Sequence, residues 1–140
     1  MTREEIGALL DRFAAAITVS DATKVPSLYA RDATVLSPMF GAVVGHGEIA
    51  ESFTEAGEIY ADIQSTLETR LIDGDHAVEV RTVHARHIGE AFGVPASHKQ
   101  ISFTMVFLFD MRDGCIAQER RLYDFTSVLV QLGVLRAKPA

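Results

Sequence analysis

The run Lys99 to Met111, KQISFTMVFLFDM, constrains the fold more than any other part of this chain. Side chains of a strand alternate between its two faces. Ile101, Phe103, Met105, Phe107 and Phe109 therefore share one face, and Ser102, Thr104, Val106 and Leu108 share the other. The first face is wholly apolar and the second is half so. Such a strand needs cover on both sides, so helices are expected against one face and a second copy of the chain against the other. The expected assembly is a homodimer.

The segment after this strand supplies the candidate for chemistry. A turn, Arg112-Asp113-Gly114, leads into a charged strand, CIAQERRLYD, and then into FTSVLVQLG. Asp124 stands where that strand gives way to the last helix. An aspartate before an apolar helical run, with Gly133 closing it, is the pattern of a helix N-cap. A lone carboxyl group at a strand end, in an apolar setting that raises its pKa, is equally a candidate acid/base. Both readings stand on the residues alone. Arg120 shares parity with Asp124, so a regular strand places the two on one face, where the cation favours the ionised carboxylate.

The first half reads as helices. Thr2 and Glu5 have capping-box spacing, and Ile6, Leu9, Leu10, Phe13 and Ile17 recur at helical intervals. Asp21 offers a cap for a shorter segment ending near Leu28 and Tyr29, and Pro26 inside it means an early-turn position or a broken helix. Residues 33–37 are β-like, the glycines of FGAVVGHG mark turns or close backbone approach, and Ile49, Phe53 and Ala56 line one side of a third helix. From Asp62 the period changes to that of strands. Residues 62–72 and 76–88 read as a hairpin about Asp73-Gly74-Asp75, ahead of the apolar and charged strands of the last third. Helices first and an antiparallel meander afterwards, without βαβ alternation, predict an α+β fold with N-terminal helices packed on one face of a curved, mainly antiparallel sheet and a C-terminal helix. With 140 residues and 15.3 kDa, a single domain over 1–140 is expected.

Several function classes are disfavoured. A formal net charge of −6 offers no basic face to phosphates, so no nucleic-acid partner is expected. The apolar runs are far shorter than the ~20 residues of a membrane span, and MTREEIGALLDRF carries acids where a signal peptide would be basic. Cys115 is the only cysteine, which suits a reducing compartment, and the expected location is cytoplasmic. His84 and His87 point to opposite faces of a strand and cannot chelate one ion together, so no metal is expected. His84 shares parity with Val78, Val80 and Thr82 and is expected to face the interior. His46 is expected to cap the third helix or line a pocket mouth, and His76 and His98 to be solvated.

The segments HIGEAFGVPASHKQISFTMVFLFDMRDGCI and RRLYDFTSVLVQLG resemble the ester-cyclase branch of the SnoaL-like polyketide cyclases, within the nuclear-transport-factor-2-like (NTF2-like) superfamily. His87, Gly89, Gly93, Pro95, Asp113, Gly114, Tyr123, Asp124, Leu129, Gln131, Leu132 and Gly133 fall on that family's pattern. The first part of the chain matches only in outline. The resemblance implies a cone-shaped fold with a hydrophobic pocket and a reaction without metal or cofactor, an aldol-type ring closure on a small apolar carbonyl compound. It implies Asp124 as the acid/base. Arg120, His46, His84 and His87 are then the candidates for positioning substrate oxygens, and Phe103, Met105 and Phe107 for the pocket wall. The family generally has a tryptophan where this chain has Arg120. Two other readings are kept: epoxide opening by water with Glu79, Arg81 and Asp124, and a small-ligand-binding or dimerisation module without turnover.

Overall fold

The computed structural model describes residues 1–136. Helix α1 (Arg3–Thr18) begins at the expected capping box: Thr2 N–H donates to Glu5 Oε2 at 2.8 Å and Glu5 N–H to Thr2 Oγ1 at 3.1 Å. It buries Ile6, Leu9, Leu10, Phe13 and Ala16. A 3₁₀ turn (Ala22–Lys24) capped by Asp21 leads into the one-turn α2 (Val25–Leu28), where Pro26 occupies an early position that needs no N–H donor. Strands β1 (Tyr29–Ser37) and β2 (Gly41–Val44) form a hairpin, and α3 (Gly45–Ile59) follows directly. The glycine-rich segment thus contains a short strand as well as turns. Gly45, at φ +83°, swings the chain from β2 into α3.

The second half is the meander expected from its period: β3 (Tyr60–Asp73), β4 (His76–His87), β5 (Gln100–Arg112) and β6 (Cys115–Leu122), then α4 (Phe125–Leu132). The six strands form one sheet in the order β2-β1-β6-β5-β4-β3, and only the β1–β6 pair is parallel. The sheet is open and curled. Register shifts in β3 at Ala61/Gln64 and Leu67/Thr69, with Asp62 at φ +53°, increase its local twist. The core lies between α1, α3 and the concave face, where Phe13 meets Tyr29, Phe107 and Phe109 edge-on.

Two contacts position the end of the sheet where the site lies. Strand β6 pairs with β5 only over Val106–Arg112, which leaves the backbone of Ser102 without a strand on that side. Gln131 of α4 takes its place, accepting from Ser102 N at 2.9 Å and donating to Ser102 O at 2.9 Å. At the opposite edge the chain after β4 runs against the end of α3, where a Cβ on Gly89 would stand 1.9 Å from Glu58 O. Only glycine fits there.

Candidate functional site

The concave face, α3 and the β1–β2 turn enclose a cavity of about 110 Å³. One water needs about 10–15 Å³ on that measure, so there is room for a small organic molecule. Ile63, Val83, Phe103, Met105, Phe107 and Val128 give it apolar walls. Its polar lining is Ser20, Ser37, Ser52, Ser65, Tyr60, Tyr123 and Arg121. Among the described residues no carboxylate or imidazole side chain lines it.

Arg121 is the cationic member, held from behind. Its Nε donates to Glu119 Oε2, and Tyr29 Oη donates to Glu119 Oε1 at 2.5 Å. Glu119 is wholly buried, whereas 18% of the Arg121 side chain stays exposed, at the cavity wall. The guanidinium lies 5.6 Å from the Phe107 ring centre and 6.0 Å from that of Phe13. Burial opposes the charge of Arg121, but the Glu119 carboxylate and Tyr29 together outweigh it and hold the guanidinium pKa above its ordinary value. A guanidinium has five N–H donors. Its Nε–H is spent on Glu119, and Arg121 also lines the cavity.

A second buried carboxylate sits on β4. Glu79 accepts from Arg70 Nε at 2.7 Å and from Arg81 Nε at 2.8 Å. Arg70 also reaches Asp11 on α1 at 2.7 Å, and Arg81 Nη1 reaches Ser65 Oγ at 3.4 Å. Glu79 and Phe107 are register partners, as are Phe107 and Arg121, so both ion-paired groups occupy one row of the concave face.

The hydroxyls are set by their neighbours. Ser37 Oγ accepts from Phe40 N at 3.1 Å, which leaves its own proton free to donate, while Ser52 donates to Ile49 O at 2.6 Å and faces the cavity as an acceptor. Burial pushes the Tyr60 hydroxyl up to about 12, with Tyr123 adding to it. Burial also raises Tyr123, opposed by Arg121 and the Met39 backbone. Both stay protonated at neutral pH and serve as donors. The lining is thus richer in donors than in acceptors.

The expected site residues divide. Phe103, Met105 and Phe107 line the cavity. Asp124 and Arg120 do share a face, but it is the outer one: both are exposed and neither lines the cavity. Asp124 caps α4, accepting from Ser127 N at 2.9 Å. The reason is a register shift at Asp110/Met111, which changes the phase of β6 so that Ile116 is buried at one parity and Glu119, Arg121 and Tyr123 turn inward at the other. His84 is likewise exposed, contrary to the interior expected for it, because the inward row of β4 is Ala77, Glu79, Arg81, Val83, Ala85 and His87. His46 lies in the first turn of α3 with Nε2 2.7 Å from Tyr29 O, outside the lining. His87 is fully buried beyond the cavity, its Nδ1 accepting from Ser97 N at 3.2 Å, and its Nε2 has no partner among the described residues. Of the epoxide-opening trio, Glu79 and Arg81 are together and Asp124 is apart from them. Among the described residues no group of three His, Cys, Asp or Glu side chains could hold a metal ion, and no helix is long and apolar enough to cross a membrane.

Helices laid into a curled sheet around an apolar cavity define an α+β cone of the NTF2-like, ketosteroid-isomerase-like kind. Within that class the chain belongs to the SnoaL-like domain family, whose sequence model matches residues 10–119. No curated protein matches it in sequence. Among solved structures, TsrD from Streptomyces laurentii superposes with a TM-score of 0.84 at 24% identity, covering 96% of this chain and 99% of that one. A candidate SnoaL-like polyketide cyclase from Jannaschia gives 0.85 at 18% identity, with coverage of 97% and 94%. A protein of ketosteroid isomerase-like fold from Catenulispora acidiphila, solved in complex with trimethylamine, gives 0.75 at 22% identity, with coverage of 99% and 100%.

Proposed function

We propose that the cavity binds a small, largely apolar carbonyl compound with its oxygen directed at Arg121. One observation carries this reading: a cation fixed by a fully buried carboxylate lines a space walled mainly by Phe, Met, Val, Ile and Ala, with Ser and Tyr hydroxyls among them. In so dry a site an oxygen acceptor gains more from a preorganised guanidinium than it would in water, and Tyr60 and Tyr123 supply further donors. A hydrocarbon would leave these donors unpaired, which costs about 1–3 kcal/mol for each buried group. The test compares a ketone with the hydrocarbon of the same shape by calorimetry on the unaltered protein. The ketone is expected to bind at least about tenfold tighter, the equivalent of one such hydrogen bond. Equal affinities would overturn the reading.

Membership of the SnoaL-like family favours a second step, turnover without a cofactor in the manner of a polyketide or ester cyclase. There the same donors hold the oxygen on which negative charge develops, and the proton acceptor comes from outside the lining. We also infer a homodimer. On the convex face Leu71, Val78 and Leu108 form one row and Val80, Val106 and Leu122 the next, with Leu71, Leu108 and Leu122 exposed. Light scattering should give twice 15.3 kDa, and a monomer at micromolar concentration would refute the pairing. The single free cysteine, Cys115, accords with a cytoplasmic location.

A further inference from the structure

We infer that Ser65, oriented by Arg81, is a second oxygen-binding donor in the cavity, and that the preferred ligand carries two acceptor oxygens at opposite ends of an apolar body. The inference rests on the reading of Arg121 as the first oxygen site.

Ser65 lies on β3 and Arg121 on β6, with β4 and β5 between them. Their rows meet β5 at Phe103 and Phe107, so three steps of about 4.8 Å across the sheet combine with four residues of about 3.3 Å along it, and their backbones are up to ~20 Å apart, a path that the curl shortens. Both side chains line the same cavity, and the wall between them is Val83, Met105 and Phe107. The two polar groups therefore face a common space across an apolar interval.

The direction of the Ser65 hydroxyl is set by its partner. Arg81 can only donate, so its Nη1, 3.4 Å away, takes a lone pair of Ser65 Oγ and leaves the hydroxyl proton to be donated elsewhere. Arg81 is itself held. Its Nε donates to Glu79, which also binds Arg70, and Arg70 is anchored to Asp11 at the surface of α1. Glu79 is wholly buried and Arg81 keeps only 6% of its side chain exposed. A buried ion chain of this kind adds little stability over well-packed apolar residues. An apolar residue at position 81 could not polarise the Ser65 hydroxyl. Arg81 is therefore a positioning residue and Ser65 the group that meets the ligand.

A monocarbonyl compound satisfies Arg121 and leaves Ser65 unpaired, whereas a dicarbonyl compound of matching length satisfies both. The experiment measures binding of linear diketones of graded length, the monoketones of the same length and the corresponding alkanes, to the wild type, Ser65→Ala and Arg81→Lys. At least one diketone should bind the wild type more tightly than its monoketone. Ser65→Ala should reduce that diketone's affinity about tenfold, one hydrogen bond's worth, and leave the monoketone unchanged. Arg81→Lys keeps a cation for Glu79 but loses the fork that reaches Ser65, and should lower the diketone-to-monoketone ratio. General destabilisation would affect both ligands alike and leave the ratio unmoved. If no diketone exceeds its monoketone, or if Ser65→Ala weakens both equally, the second donor is overturned while the Arg121 site stands. If ketones bind no better than alkanes, both readings fall together.

Discussion

Replacing Arg121 by methionine removes the cation and keeps most of the side-chain volume, so the cost falls on Glu119. That carboxylate has no exposed surface, and only the Tyr29 hydroxyl would remain as its partner. Breaking a buried ion pair from one side costs about 3–5 kcal/mol. Substituting both partners, Arg121→Met with Glu119→Gln, removes the stranded charge and leaves an amide oxygen to accept from Tyr29. The double variant should lose only about 1–2 kcal/mol, less than the Arg121 single variant alone and well short of the sum of the two singles. Urea unfolding of the single and double variants measures both losses. A loss under about 1 kcal/mol for the single variant, or a double variant as unstable as the sum of the singles, would show that Glu119 is not held as described.

Other outcomes are as definite. Tyr29, Tyr60 and Tyr123 are the three tyrosines of the chain, and all have raised pKa values, mainly from burial. The folded protein should therefore show little tyrosinate absorbance at pH 10, the ordinary value, and should lose stability as pH climbs from there toward about 12, where Tyr60 ionises in place. A tyrosine titrating normally in the folded protein would contradict the burial. Asp124→Ala should cost about 1 kcal/mol and Asp124→Asn almost nothing, as for a helix cap. If Asp124→Asn folds but loses turnover of a substrate by about 10²-fold or more, the residue transfers protons despite its exposed position. Gln131→Leu keeps the bulk but removes the two hydrogen bonds to the exposed Ser102 backbone, and calorimetry should show a loss of about 0.5–1.5 kcal/mol.

The architecture was legible because its signals are periodic. The α1 stripe, the capping box, the Asp73-Gly74-Asp75 turn and the wholly apolar face of β5 each appear at the spacing their element demands. On the apolar side of the site, β5 alone marked Phe103, Met105 and Phe107 as one face that needs cover, and their place in a pocket wall came with the family resemblance. The polar half of the site was hidden by two physical facts. The bulge in the β5–β6 ladder inverts the parity of the strand end, so a regular strand carried Asp124 and Arg120 together to the wrong side. Mutual pairing made the buried charges look like a solvated face, since Glu79 with Arg81, and Glu119 with Arg121, occupy alternate positions of a strand, where charge ordinarily means water. One signal could have exposed them. Each is a Glu-x-Arg triplet whose parity continues into apolar or aromatic residues, Val83 and Ala85 in β4 and Tyr123 in β6.

That repetition has a mechanical sense. In both strands the arginine stands two residues nearer the cavity than its carboxylate, so the anion lies deeper in the fold and the cation nearer the ligand. Two residues along a strand is about 6.6 Å, far enough for the glutamate to be enclosed by the packing of Phe13, Phe107 and Phe109 while the guanidinium reaches the cavity or a hydroxyl that does. Each buried anion thus fixes a donor's position without offering an acceptor to the ligand. On the proposed reading, a cavity supported in this way favours a ligand that accepts hydrogen bonds, with Ser52 Oγ left to accept from it. The selectivity proposed for it comes from the order of two residue types on a strand, and reversing either pair, as in Glu119→Arg with Arg121→Glu, should turn that wall from a site for acceptors into one for donors.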